Sequence, residues 1–244
     1  MNTSKKLTLS ILVPTYNRKK QFERLYNRLC SKFSNNLYYE IVVACSSPEY
    51  MPKVSKEWNI TCLNTKGYTR EENYLKGVAH CRGKYTLIVE DDDLIDTETV
   101  YTFTYEHLAN NPDVDLFVYS LMERKSYIMP KTVSLSSENF LSTFYERYGN
   151  SFQWGQCITK TSSLKKSMYD LWVRDKELDL IQSDELITLM VAQQSNQVCV
   201  SEYPLLWVGK GIDNYSWNNP KEDEQRERFE QLRKKYVDDK YFIP

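Results

Sequence analysis

Residues 85–93 read Tyr85-Thr86-Leu87-Ile88-Val89-Glu90-Asp91-Asp92-Asp93, an apolar, β-branched run that ends abruptly in four adjacent carboxylates. The apolar part predicts a buried strand, and the carboxylates fall at its carboxyl end. Working backwards, Gly83 ends a helix that Thr69 and Glu72 open with capping-box spacing, with Tyr74, Val78 and Cys81 on one face. Before it come strands at Ile60–Leu63 and Tyr39–Ala44. A helix carries Phe22, Leu25, Tyr26 and Leu29 at helical spacing, and a first strand, Leu7–Val13, is closed by Pro14 and Asn17. The first ninety residues thus alternate strand and helix. That order predicts an α/β fold with a mostly parallel, doubly wound sheet flanked by helices. In such sheets ligands bind beyond the carboxyl ends of the strands, so Pro14–Arg18, Cys45–Ser47 and Glu90–Asp93 should converge on one crevice.

Downstream, Asp96 caps a helix through about Ala109, and Asn110-Asn111-Pro112 stops it. Leu116–Leu121 is a further strand, residues 122–149 lack a clear period and read as irregular strand plus a short helix, and Gln156–Thr159 is a strand followed by a helix from Ser162. An amphipathic helix starts at Ser183, and Gln197–Tyr203 is the last strand. From Asn219 the chain is highly charged, with Pro220 at a helix start and Phe229, Leu232 and Tyr236 as an apolar stripe.

A length of 244 residues allows one sizeable core, and a net charge of −1 gives no basic field for nucleic acid or anionic membrane. Nineteen tyrosines against seven glycines suit either aromatic core packing or a pocket for sugars or bases. The cysteines at 30, 45, 62, 81, 157 and 199 form no CxxC pair, and His80 and His107 are the only histidines, which argues against a zinc site. Cysteines placed in apolar runs suit a reducing, cytoplasmic setting. The run Leu7–Val13 after Lys5-Lys6 is too short for a signal core and lacks a cleavage site, and no apolar run is long enough to span a bilayer.

Three segments carry chemistry. Glu90-Asp91-Asp92-Asp93 is a set of mutually repelling oxygen ligands that suits Mg²⁺ or Mn²⁺; the alternative is a solvated turn leading into the Asp96 cap. Ser10–Arg18 ends a strand in free backbone groups, an aromatic ring and a phosphate-binding arginine, or is an ordinary strand-to-helix turn. Gln182-Ser183-Asp184-Glu185 places carboxylates at a helix start, where they favour the helix dipole or serve as a general base.

In this order, the segments resemble the inverting family 2 glycosyltransferases of GT-A fold. The resemblance rests on Ile11-Leu12-Val13-Pro14-Thr15-Tyr16-Asn17-Arg18, on Gly77 and Gly83 leading through Tyr85 into Glu90–Asp93, and more loosely on Ser183-Asp184-Glu185. It implies a donor-binding half over residues 1–121, an acceptor and catalytic-base half over 122–218, and a terminal helix over 219–244. By this resemblance Pro14, Thr15, Tyr16, Arg18, Ser46, Arg70 and Asp91 line the nucleotide-sugar site. Asp92, with Glu90 and Asp93, holds Mn²⁺ or Mg²⁺, and Asp184 is the base with Glu185 its substitute. Gly211–Trp217 resembles a loop that covers the donor, with Lys210 or Tyr215 approaching the diphosphate and Trp217 shielding the sugar. The partners implied are a UDP- or other NDP-sugar and a saccharide or lipid-linked acceptor, with a modified nucleic-acid base less favoured. Three departures bear on this. Cys45-Ser46-Ser47-Pro48 replaces an acidic base-reading turn, Tyr74-Leu75-Lys76-Gly77 replaces Arg-Asn-x-Gly, and Glu90 leads the metal motif. A nucleotidyltransferase and a non-catalytic nucleotide-sugar binding module are the rival readings. Pro14–Arg18 lacks the glycine that the former normally uses in its phosphate loop.

Overall fold

A computed structural model describes residues 7–33, 36, 38–52, 59–111, 113–121, 132–145, 153–177, 180, 182–207 and 222–237. Its strands are β1 (Leu9–Thr15), β2 (Tyr39–Cys45), β3 (Ile60–Asn64), β4 (Tyr85–Ile88), β5 (Leu94–Ile95), β6 (Leu116–Leu121), β7 (Val133–Ser136), β8 (Cys157–Lys160) and β9 (Gln197–Trp207). They form one sheet in the order β3-β2-β1-β4-β8-β6-β9-β5, with β7 also pairing β9. The helices are α1 (Lys19–Phe33), α2 (Arg70–His80), α3 (Thr97–Thr102), α4 (Thr161–Met168), α5 (Ser183–Gln194) and α6 (Glu222–Tyr236). Helices α3 and α4 each run on into a π-helical stretch, Phe103–His107 and Tyr169–Arg174.

The two faces follow from period-two alternation. Ile11 and Val13 of β1 join Ile41 and Val43 of β2 under α1 and α3, in a cluster with Phe22, Leu25 and Phe103. Leu12, Val42 and Ala44 face the other way, toward Tyr74 and Val78 of α2, Leu186 to Ala192 of α5, and Phe229 and Leu232 of α6. Fully burying one such Leu or Phe stabilises the fold by about 1.5–3 kcal/mol. Helix α2 lies close on β1 because Gly77 lets it: a Cβ there would meet Leu12 Cδ1 at 2.5 Å. Gly83 is the less forgiving position, since its Cβ would stand 2.6 Å from the Ser10 backbone nitrogen, which cannot swing aside as a side chain can.

The structure amends several expectations. Pro14 does not close β1; it pairs with Ala44 and the strand reaches Thr15. Pairing with β4 stops at Leu12, so the missing Pro14 N–H faces no ladder on that side. The sheet is parallel only through β3-β2-β1-β4 and between β6 and β9; β8, β5 and β7 enter antiparallel. Six strands (β1, β2, β3, β4, β6 and β9) share one direction, so the sheet remains mostly parallel. Strand β5 had no sequence counterpart, β7 and the helical turn Ser137–Asn139 fall in the stretch expected to hold an irregular strand and a short helix, and β9 runs on to Trp207 past register shifts against β6. Helix α5 is not amphipathic: Ser183, Glu185 and every residue from Leu186 to Ala192 are buried. It is enclosed by the sheet on one side and by α4 and α6 around it. The terminal stripe docks as an ordinary helix, with Phe229 and Leu232 buried and Tyr236 partly so. Two ion pairs, Arg228 with Glu177 and Lys235 with Asp175, flank it. No helix among the described residues is long and apolar enough to cross a membrane.

Candidate active site

The ends of β1, β2 and β4 meet as the topology requires. Thr15, the last residue of β1, donates its hydroxyl to Asp91 Oδ2 at 2.7 Å, and the Tyr16 amide reaches the same oxygen at 3.4 Å. Asn17 takes a left-handed φ of 51°, with its amide held by Ser47 Oγ at 3.1 Å. That turn aims Arg18 back at the acidic run. Its Nη1 lies 3.1 Å from Asp91 Oδ1 and 2.9 Å from Asp92 Oδ2. Pro14 is buried within the strand, whereas the Tyr16 ring is 71% exposed at the mouth.

The four carboxylates alternate. Asp91 and Asp93 are buried, while Glu90 and Asp92 are half-buried. Burial pushes Asp91 up to about 6, against the pull of the Thr15 hydroxyl and the Arg18 guanidinium. Asp91 is therefore an anchor for the β1 turn, and Asp92, its side chain 11% exposed, is the less enclosed of the two carboxylates that meet Arg18. The main chain turns tightly here, with the Asp93 amide bonded to the Glu90 carbonyl at 3.0 Å.

Glu90 points elsewhere, accepting the Tyr74 hydroxyl at 2.5 Å. Tyr74 sits one helical turn after Arg70 and packs its ring against Trp154 and Trp172. Arg70 donates from Nε to Glu71 and from Nη2 to the Leu180 carbonyl (3.2 Å) and the Ser183 hydroxyl (3.4 Å). It thereby ties α2 to the head of α5, where Asp184 lies half-buried. Desolvation first, and the Glu90 charge second, raise Asp184 to about 7; the Glu185 amide and Arg70 oppose the rise. Glu185 is buried, with Gln182 Nε2 3.5 Å from its Oε2.

On the third side, Ser46 is half-buried and its hydroxyl lies 3.3 Å from that of Thr65, which in turn donates to Asn73 Oδ1 at 2.6 Å. Thr65, Asn73 and Glu71 were not singled out in the sequence, Ser47 was named only with its turn, and Tyr74 only as part of an apolar face and of a departure from the family pattern. The i, i+4 spacing of Arg70 and Tyr74 was the available sign for Tyr74. Lys210, Tyr215 and Trp217 lie outside the described residues.

The family model described as "Glycosyl transferase family 2" matches residues 10–169 of the 244. The chain belongs to glycosyl transferase family 2. The family match covers the β1 turn, Arg70 and the acidic run, and stops before Asp184. A crystal structure of S. aureus TarS residues 1–349 with UDP superposes with a TM-score of 0.67 at 19% identity, over 93% of this chain and 64% of that one. A mannosyltransferase from Pyrobaculum calidifontis, PcManGT, in complex with GDP-Man and Mn²⁺, superposes at 0.59 with 15% identity, over 85% and 58%. A Haemophilus influenzae protein described as an uncharacterized glycosyltransferase is 29% identical over 112 residues, 46% of this chain and 37% of the relative. These likenesses place the fold among GT-A glycosyltransferases.

Does this family 2 site suit a divalent ion? Among the described residues, no three Asp, Glu, His or Cys side chains converge as a ready-made cage. Asp91 is taken up by Thr15 and Arg18, and one Glu90 oxygen by Tyr74. Asp92 remains, a hard oxygen donor less enclosed than Asp91, with a guanidinium already beside it. One or two carboxylates completed by a ligand's phosphates is how Mg²⁺ is usually bound, so the donor chemistry fits.

Proposed function

We propose that this chain is a glycosyltransferase that moves a sugar from a nucleoside-diphosphate sugar to an acceptor hydroxyl with inversion, in saccharide or lipid-linked glycan synthesis. The observation that carries the reading is Asp184, a carboxylate raised to about 7 at the head of α5 and electrostatically coupled to the acidic run through Glu90. A base poised near neutrality is what deprotonating a sugar hydroxyl requires. Asp184 accepts the hydroxyl proton as the oxygen attacks the anomeric carbon from the face opposite the leaving diphosphate. A single displacement then inverts the centre. Asp92, assisted by Asp93, is the residue to hold Mn²⁺ or Mg²⁺, whose chemistry would be to neutralise charge on the departing diphosphate. Arg18 and Arg70 supply cationic donors on either side.

UDP and UDP-GlcNAc in the TarS structures and GDP-Man with Mn²⁺ in PcManGT support a nucleotide-sugar donor. We assign the reading of the nucleobase to the Ser46, Thr65 and Asn73 polar chain beyond the end of β2. The net charge of −1 favours a saccharide acceptor over nucleic acid.

The test is a panel of UDP-, GDP- and dTDP-sugars with Mn²⁺ or Mg²⁺. It is read by thermal shift for binding, by nucleotide release for turnover, and by NMR couplings for the anomeric configuration of the product. Binding and release with one donor, and an inverted product, are expected. A panel without binding would sink the donor reading, binding without release would leave a binding module, and a retained product would remove Asp184 as the base.

A further inference from the structure

Arg18 stands out within this site. Its guanidinium bridges two carboxylates that differ in kind: Asp91, buried and fixed by Thr15, and Asp92, half-buried and held by Arg18. The side chain issues from a turn pinned by the Asn17–Ser47 bond and by the left-handed Asn17. A positive group thus already stands where an ion on Asp92 would go. The Arg18–Asp92 contact is 2.9 Å, so a cation bonded to that oxygen would press directly on the guanidinium.

We infer that Arg18 is a resident counter-cation that competes with the divalent ion for Asp92 and, once released from Asp92, stays tethered by Asp91 and turns its freed N–H donors to the donor's diphosphate. This rests on the reading above, in which an ion and a nucleotide diphosphate meet here. The physical argument is short. Unit and double positive charges about 5 Å apart repel enough, even at water-like dielectric, to weaken ion binding about tenfold. A diphosphate reverses the sign by giving the guanidinium a new bidentate partner. Each ligand therefore removes a cost borne by the other, and such coupling is reciprocal. Arg18 thereby makes the ion a poor ligand alone and a good one with diphosphate.

The experiment measures Mn²⁺ binding to the full chain by electron paramagnetic resonance, first alone and then with inorganic pyrophosphate, which carries no nucleobase. Arg18→Gln removes the charge, and Arg18→Lys keeps it. Arg18→Gln should bind Mn²⁺ alone about tenfold more tightly than wild type, while Arg18→Lys stays within about threefold. Pyrophosphate should tighten Mn²⁺ binding in wild type and do so markedly less in Arg18→Gln. Thermal melts check that each variant is folded, and should Arg18→Gln not fold, an Arg18→Lys protein whose Mn²⁺ affinity rises tenfold overturns the inference. Equal or weaker Mn²⁺ binding by Arg18→Gln also overturns it; if pyrophosphate still tightens Mn²⁺ binding there, the metal-dependent reading stands alone. No Mn²⁺ binding to any of the proteins, with or without pyrophosphate, overturns both.

Discussion

Asp91, just after β4, and Asp184, at the head of α5, are both held above the ordinary carboxylate range, at about 6 and about 7, and burial is the first cause for each. Their surroundings nevertheless differ. Asp91 is met by the Thr15 hydroxyl, the Tyr16 amide and the Arg18 guanidinium, so its oxygens are committed to protein. Asp184 has the Glu185 amide and the distant pull of Arg70 against desolvation and the like charge of Glu90. Similar titration therefore marks two roles. A raised carboxylate with its hydrogen bonds filled is architecture, and one left short of partners is available for chemistry.

The sharpest way to break this contrast is at Asp184. Asp184→Asn should lower kcat by about 10²–10⁴-fold with donor binding kept, the usual cost of a lost general base. If Glu185→Gln silences turnover and Asp184→Asn does not, the base is one residue along. The pH dependence comes next. A base titrating near 7 must be ionised to act, so kcat/KM should fall tenfold per pH unit below about 7 and level off above it. The same shift has a stability consequence of opposite sense. A folded-state value raised above the unfolded one near 4 makes the native state bind the extra proton, so this carboxylate costs stability progressively as pH climbs from about 4 to about 7. Asp184→Asn should therefore gain melting temperature over wild type at pH 8 and not at pH 4; equal gains at both would remove burial as the cause.

Asp91 predicts the reverse balance. Thr15→Val leaves Asp91 Oδ2 without its hydroxyl donor and should cost about 1–3 kcal/mol in denaturant unfolding. A Thr15→Val protein of wild-type stability would show that the Asp91 anchor is not structural. The smallest effect is expected at Tyr74. Tyr74→Phe keeps the aromatic contacts with Trp154 and Trp172 and frees Glu90, and should change kcat by only about two- to fivefold, near the worth of one net hydrogen bond.

Much of this was legible in the chain because the forces involved are local and periodic. The strand and helix order through Val89 follows from apolar spacing, and the Thr69–Glu72 box forms as read, with both reciprocal bonds present. Convergence of Arg18 with Asp91 and Asp92 follows from strand ends sharing one edge. The place of the acidic run at a strand end was legible, but the burial of Asp91 and Asp93 with Glu90 and Asp92 half-buried is set by the tight turn that the Asp93 amide closes on the Glu90 carbonyl. What escaped was set by partners distant in sequence. Strand β5 is two residues long and exists because β9 pairs with it. The polar reading of Asp184 and Glu185 suggested an amphipathic helix, whereas three packed elements enclose α5. Glu71 reads as a solvated first-turn acid, yet it is 1% exposed because Arg70 lies over it.

The Arg70 bridge has a consequence for recombination. Its Nη2 bonds reach the Leu180 main-chain carbonyl and the Ser183 hydroxyl. A carbonyl is supplied by any residue, so the polar part of the joint between the first part of the chain and the helix bearing Asp184 asks for one side chain, a hydroxyl at 183, beside the apolar seam of α5 with Tyr74 and Val78. Segments spanning that helix could be exchanged among relatives as cassettes, provided Arg70, a Ser or Thr at the cassette's entrance and the apolar seam are kept, and a library built on that joint would test whether acceptor choice moves while the proposed base stays in place.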